Sequence, residues 1–151
     1  MVLLPFTGKV LSRIFGMKIR NSPLGERIRS VNKRKLGEEM EALAAGKLQE
    51  AGYEILEKNY RCRQGEIDLV AKHRGYLVFV EVKYRKNGES GMPEEAVNVR
   101  KQRAISRAAL MYLAGHGLGT DTPCRFDVVA VEAGEIRIYE NAFAYQGGRG
   151  C

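Results

Sequence analysis

The segment Tyr76 to Lys83 constrains the fold more than any other part of the chain. Its apolar run, Leu77-Val78-Phe79-Val80, is rich in Val and Phe, the pattern of a central strand. The run then turns abruptly charged, at Glu81-Val82-Lys83. Residues two apart in a strand share a face, so Glu81 and Lys83 point the same way. Charges beside an apolar run are costly unless paired or bound to metal.

The preceding segment can be registered against this strand. From Glu66 to Lys72 the residues alternate, with Ile67, Leu69 and Ala71 expected on one face and Glu66, Asp68 and Val70 on the other. His73-Arg74-Gly75 marks a tight turn. A turn centred on Arg74-Gly75 sets His73 opposite Tyr76, and the same register sets Asp68 opposite Glu81 and Glu66 opposite Lys83. Directly opposed residues have Cβ atoms roughly 4.5–5.5 Å apart. Two carboxylates that close repel, and one should have a raised pKa. A divalent cation between them relieves the repulsion, and hard oxygen ligands suit Mg2+ or Mn2+. The chemistry that fits is phosphodiester hydrolysis, with Lys83 holding water or offsetting charge on phosphorus. Glu66 would keep Lys83 charged and oriented. A structural Glu–Lys ladder on an exposed sheet is the competing reading of the same spacing.

The flanking segments complete a mixed α/β order of helix, three strands, helix, two strands. Gly37 to Ala51 is helical by pattern, with Met40, Leu43, Ala44 and Leu48 recurring at helical spacing. Tyr53 to Tyr60 reads as a strand. Pro93 is expected to open the second helix, whose apolar face holds Val97, Ile105, Ala108, Ala109 and Tyr112. Arg125 to Val131 and Glu135 to Tyr139 form a closing strand pair. The first helix offers a third carboxylate, Glu38 or Glu41, which spacing alone leaves open.

Charge is unevenly placed. Residues 1 to 35 hold nine Lys or Arg against Glu26 alone, so this segment carries +8 of a total of +7, and the remainder is near neutral. Such an arm, including Lys33, Arg34 and Lys35, suits contact with phosphates, and equally a solvated, disordered extension. An anionic membrane surface would attract it as well. Met17 offers a second start for the chain. No apolar run approaches the roughly 20 residues of a spanning helix, and Val2 to Phe6 is too soon interrupted for a secretory signal. Cys62, Cys124 and Cys151 form no CxxC pair, which excludes a disulfide framework or thiolate zinc site and fits a cytoplasmic protein.

Gly65-Glu66-Ile67-Asp68-Leu69 and Phe79-Val80-Glu81-Val82-Lys83 resemble the YraN-like family of uncharacterised bacterial proteins. The resemblance continues through Gly52-Tyr53, Asn59-Tyr60-Arg61, Gly91 to Val97, Lys101, Arg125 to Val128 and Asn141-Ala142-Phe143, covering roughly residues 37 to 143. That family is similar to archaeal Holliday-junction resolvases within the restriction-endonuclease-like, PD-(D/E)xK, superfamily. The resemblance implies a three-layer fold, a central mixed five-stranded sheet flanked by helices. Composition sets this domain at residues 36–145, between the basic arm 1–35, which is not part of the family pattern, and a short tail 146–151. The resemblance further implies a Mg2+-dependent (or Mn2+-dependent) endonuclease acting on DNA, including branched or damaged structures, with Asp68, Glu81 and Glu41 as metal ligands and Lys83 assisting catalysis. Gly37 and Glu41 match the resolvase spacing, which favours Glu41 over Glu38, although Met40 stands where the family pattern has glycine. The resolvases act as dimers, which implies a homodimer. Lys101 matches the family, and with Arg103 is expected to contact phosphate. A non-catalytic nucleic-acid-binding module on the same fold, or an RNA substrate, is the alternative.

Overall fold

The computed structural model of the protein describes residues 23–85, 97–132 and 135–147, apart from the side chains of 23–29 and 31. Chain contacts divide it into two units, Met1–Glu38 and Glu39–Cys151. Helix α1 spans Pro23–Glu50. It begins well before Gly37, because Glu, Arg, Lys and Leu dominate the intervening stretch and are strong helix formers. Pro23 is compatible with a first helical turn. Part of the basic segment 1–35 is therefore helical, with Lys33, Arg34 and Lys35 exposed, while residues 1–22 lie outside those described.

In the second unit, Ala44, Ala45 and Leu48 form the buried stripe of α1. Gly52 takes a positive φ of 89° and its amide bonds to Gln49 O at 3.0 Å, while Tyr53 N bonds to Leu48 O at 3.0 Å. This αL closure ends the helix and turns the chain into the sheet.

Strands β1 (Glu54–Cys62), β2 (Gly65–His73) and β3 (Tyr76–Arg85) form an antiparallel meander. Helix α2 (Val99–Gly115) then carries the chain to β4 (Cys124–Glu132), which runs parallel to β3. Strand β5 (Glu135–Tyr139) closes the sheet antiparallel to β4. The spatial order is β1-β2-β3-β4-β5. The expected β2–β3 turn is present: Arg74 and Gly75 both have positive φ (50° and 83°), as a two-residue hairpin turn of the primed type needs. His73 accordingly faces Tyr76.

Each face of the sheet carries its own apolar layer. Phe79, Phe126, Val128, Ile67 and Val70 pack with Ile105, Ala108, Ala109, Tyr112 and Leu113 of α2. Val78, Val80, Leu69, Ala71, Val129 and Val131 pack with Ala44, Ala45 and Leu48 of α1. The result is a three-layer α/β/α arrangement around a mixed five-stranded sheet, with β3 buried at its centre.

Two local expectations need correction. Ile67 does not share a layer with Leu69 and Ala71; it lies with Val70 in the layer under α2. The alternation of β2 breaks at Asp68, for a reason given below. The second helix starts at Val99 and not at Pro93, which lies outside the described residues. Asn98 has an extended backbone, and its side chain accepts from Lys101 N at 2.9 Å. That is an N-cap, and it fixes the helix start.

Candidate metal and phosphodiester site

The β2–β3 ladder runs from His73↔Tyr76 to Leu69↔Val80 and stops there. The next opposed pair in this register is Asp68 and Glu81. Asp68 turns its carboxylate toward the neighbouring backbone, and Oδ2 accepts from Val82 N at 2.7 Å. The side chain thus takes a donor that a strand carbonyl would otherwise satisfy. The two central strands part at this point, which accounts for the broken alternation of β2.

Glu81 is almost fully buried. Its Oε1 lies 3.0 Å from Lys83 Nζ, and its Oε2 lies 3.3 Å from Lys101 Nζ on α2. The second contact falls outside hydrogen-bond geometry, so Oε2 is a buried carboxylate oxygen with no donor. Such atoms are rare; here the Lys101 ammonium offsets the charge without donating a hydrogen bond. Asp68 responds to the same surroundings. Burial, and next the charge of Glu81, raise its pKa to about 7, against smaller opposing contributions from the Val82 amide and Lys101.

The structure therefore brings together Asp68, Glu81 and Lys83. Lys101, expected only on a phosphate-binding face, reaches Glu81 and lies 4.0 Å from Glu66. Glu66 does not face Lys83, because the ladder ends before that pair; it engages Arg61 (3.6 Å) and Lys101 instead. Glu41 is close enough for its charge to raise Asp68, but its Oε2 accepts from Asn59 Nδ2 at 2.8 Å. Glu38 is exposed. Among the described residues, no three His, Cys, Asp or Glu side chains converge tightly enough to enclose a metal ion. Arg103 is exposed on α2.

Sequence reasoning missed the roles of Asn59 and Lys101. Asn59 stands at a positive φ of 55° in β1, which favours Asn over most residues, and that choice of residue was the available signal. No spacing rule links Lys101 to Glu81, since the contact depends on how α2 crosses the sheet.

A second buried polar cluster centres on Asp127 of β4, which pairs with Val80 of β3. Asp127, fully buried, accepts from Tyr53 Oη (2.8 Å), Arg125 Nε and Nη2 (both 2.8 Å) and Asn141 N (2.9 Å). Arg125 also meets His73 Nδ1 at 2.9 Å and Glu140 at 3.3 Å, and Tyr53 stacks on His73. Burial, then the bond to Asp127, raises the Tyr53 hydroxyl well above its ordinary value. Every oxygen of Asp127 is satisfied, as expected of a carboxylate that serves the fold.

A five-stranded mixed sheet between two helical layers, with Asp68 and Glu81 at a parting of its central strands, is the architecture of a restriction-endonuclease-like protein. Residues 40–131 match the model of the uncharacterised protein family UPF0102. A UPF0102 protein of Lachnoclostridium phytofermentans is 56% identical over 113 residues, which cover 75% of this chain and 96% of the relative. One from Symbiobacterium thermophilum is 49% identical over 115 residues, covering 73% and 97%. A third, from Syntrophus aciditrophicus, is 48% identical over 119 residues, covering 76% and 91%. The chain belongs to the UPF0102 family, the YraN-like proteins. No helix among the described residues is long and apolar enough to cross a membrane.

Proposed function

We propose that this protein is a divalent-metal-dependent endonuclease that hydrolyses phosphodiester bonds of DNA. One observation carries the reading: the donorless oxygen of buried Glu81 beside Asp68, where the central strands part. Oxygen donors of this kind fit a hard cation such as Mg2+ or Mn2+. Asp68 and Glu81 would hold it, with Glu41 near enough to join if it released Asn59. When bound, the ion supplies Lewis acidity toward a phosphoryl oxygen and lowers the pKa of water.

The remaining work falls to the protein's own side chains. Lys83 Nζ, 3.0 Å from Glu81, would orient attacking water and offset charge as phosphorus becomes pentavalent. Water attacks phosphorus, the P–O bond to the leaving nucleoside breaks, and a proton passes to that oxygen. Lys101 balances the second Glu81 oxygen until substrate and cation arrive.

A calorimetric Mn2+ titration of wild type and Asp68→Ala tests the site without a known substrate. Binding by the wild type alone, with metal-dependent cleavage of branched DNA lost in Asp68→Ala and Lys83→Ala, supports the reading. Folded wild type with no metal affinity and no cleavage of varied DNA or RNA rejects it. A second reading, a non-catalytic nucleic-acid-binding module, draws support from the Glu41–Asn59 bond, which keeps the third carboxylate engaged. It requires nucleic-acid binding that Asp68→Ala and added metal leave unchanged.

A further inference from the structure

We infer that the outer face of α2 and the tip of the β1–β2 hairpin form one track for the phosphate backbone of a duplex nucleic acid, leading to the carboxylate pair; this rests on the phosphodiesterase reading. Arg100, Arg103 and Arg107 are all exposed on α2. Their spacing of three and four places them within about 60° of arc, on the side away from the buried face. They extend about 10 Å along the helix axis. Among the described residues, none of the three has an acidic partner.

The hairpin tip lengthens the track. Cys62 pairs with Gly65, so Arg63-Gln64 is a two-residue turn, and Arg63 is exposed without an acidic partner among the described residues. A Cβ on Gly65 would lie 3.2 Å from Ala104 O, between Arg103 and Arg107 in sequence. Glycine therefore lets the hairpin seat directly against α2, which sets Arg63 beside the arginine stripe. The track is tied to the site through Lys101, which reaches both Glu66 of the hairpin and Glu81.

The chemistry selects the partner. A guanidinium fork matches phosphate oxygens bidentately. Val99, Leu110 and Met111 are also exposed on α2, and three guanidinium groups without acidic partners among them favour a polyanion over an apolar protein surface. A single strand would need exposed aromatics for base stacking; Tyr76, Tyr84 and Tyr145 are the large exposed aromatics among the described residues, and none lies in the stripe. Contact through phosphates alone is what a duplex presents.

The test is fluorescence anisotropy of the full chain with a short labelled duplex of arbitrary sequence, in EDTA, across a salt series. The variant is Arg100→Gln/Arg103→Gln/Arg107→Gln, compared with Lys33→Gln/Arg34→Gln/Lys35→Gln. The first should flatten the slope of log K against log salt by about 2.7, from about 0.9 per lost phosphate contact, with unchanged thermal stability and unchanged Mn2+ titration. An unchanged slope in that variant, or a full loss confined to the Lys33 variant, overturns the track. Equal or tighter binding of a single strand of the same length overturns the duplex assignment. Failure of Mn2+ to bind wild type bears on the phosphodiesterase reading alone, and the salt slope bears on the track alone.

Discussion

Asp68→Asn should stabilise the metal-free protein, and the gain should grow with pH. In the folded state the Asp68 carboxyl holds its proton up to about 7, against 3.8 as its ordinary value, because ionisation there is opposed first by burial and next by Glu81. A carboxyl raised on folding stabilises the fold fully below its unfolded value. That contribution is lost as pH rises from 3.8 to about 7, since the unfolded chain releases the proton first. Three units of difference correspond to about 4 kcal/mol, an upper scale. Asparagine carries no charge and keeps an oxygen for the Val82 amide. We expect a gain of about 2–4 kcal/mol at about pH 8, falling below about 1 kcal/mol near pH 4. At roughly 2–4 °C per kcal/mol for a domain of this size, Tm rises by about 5–15 °C at the higher pH. Thermal melts followed by circular dichroism in EDTA measure it. Saturating Mn2+, at about 100 times its Kd, should add about 2.7 kcal/mol to wild type and little to Asp68→Asn. An Asp68→Asn protein no more stable than wild type at high pH, or equally stabilised at every pH, would refute the reasoning.

Other outcomes follow from the same geometry. Lys101→Met leaves the Glu81 charge less compensated, so Tm in EDTA should fall, while Mn2+ affinity measured by calorimetry should rise because no ammonium competes at Oε2. Tyr53→Phe removes one donor from Asp127 and should cost about 1–2 kcal/mol in chemical denaturation. Asp127→Ala strands a buried guanidinium and should cost about 3–5 kcal/mol, and neither change should alter Mn2+ affinity. Gly65→Val forces a side chain against Ala104 O and should lower Tm, with the hairpin amides exchanging faster.

Much of the candidate site's strand geometry was legible because one turn sets it. Arg74-Gly75 fixes the β2–β3 register, and with it Asp68 against Glu81, from residue types alone. The central strand was legible for the same reason: Leu77 to Val80 satisfies no other environment. What the sequence hid was the consequence of the pairing. Two opposed carboxylates do not fit a regular ladder, so Asp68 swings to the Val82 amide, Ile67 changes layer, and Glu66 never reaches Lys83. Strict alternation cannot anticipate such a break, because it comes from the interaction being placed. The start of α1 at Pro23 is hidden from amphipathic pattern, which is absent before Leu36, because helix propensity alone extends it. The start of α2 depended on recognising Asn98 as a cap.

The two buried acidic clusters argue about each other. Asp127 and Glu81 occupy neighbouring strands of one sheet, and both are almost fully removed from water. Asp127 meets four donors from Tyr53, Arg125 and Asn141, and its burial is compensated within the chain. This fold can therefore satisfy a buried carboxylate completely. At Glu81 it does not: one oxygen lacks a donor, two ammonium groups hold the charge only partly, and Asp68 is pushed toward neutrality alongside. A purely structural Glu–Lys ladder would show the first kind of environment at both places. The incomplete compensation at Asp68 and Glu81 is what the proposed cation site requires, and a Mn2+ titration that showed no binding would leave it without that account.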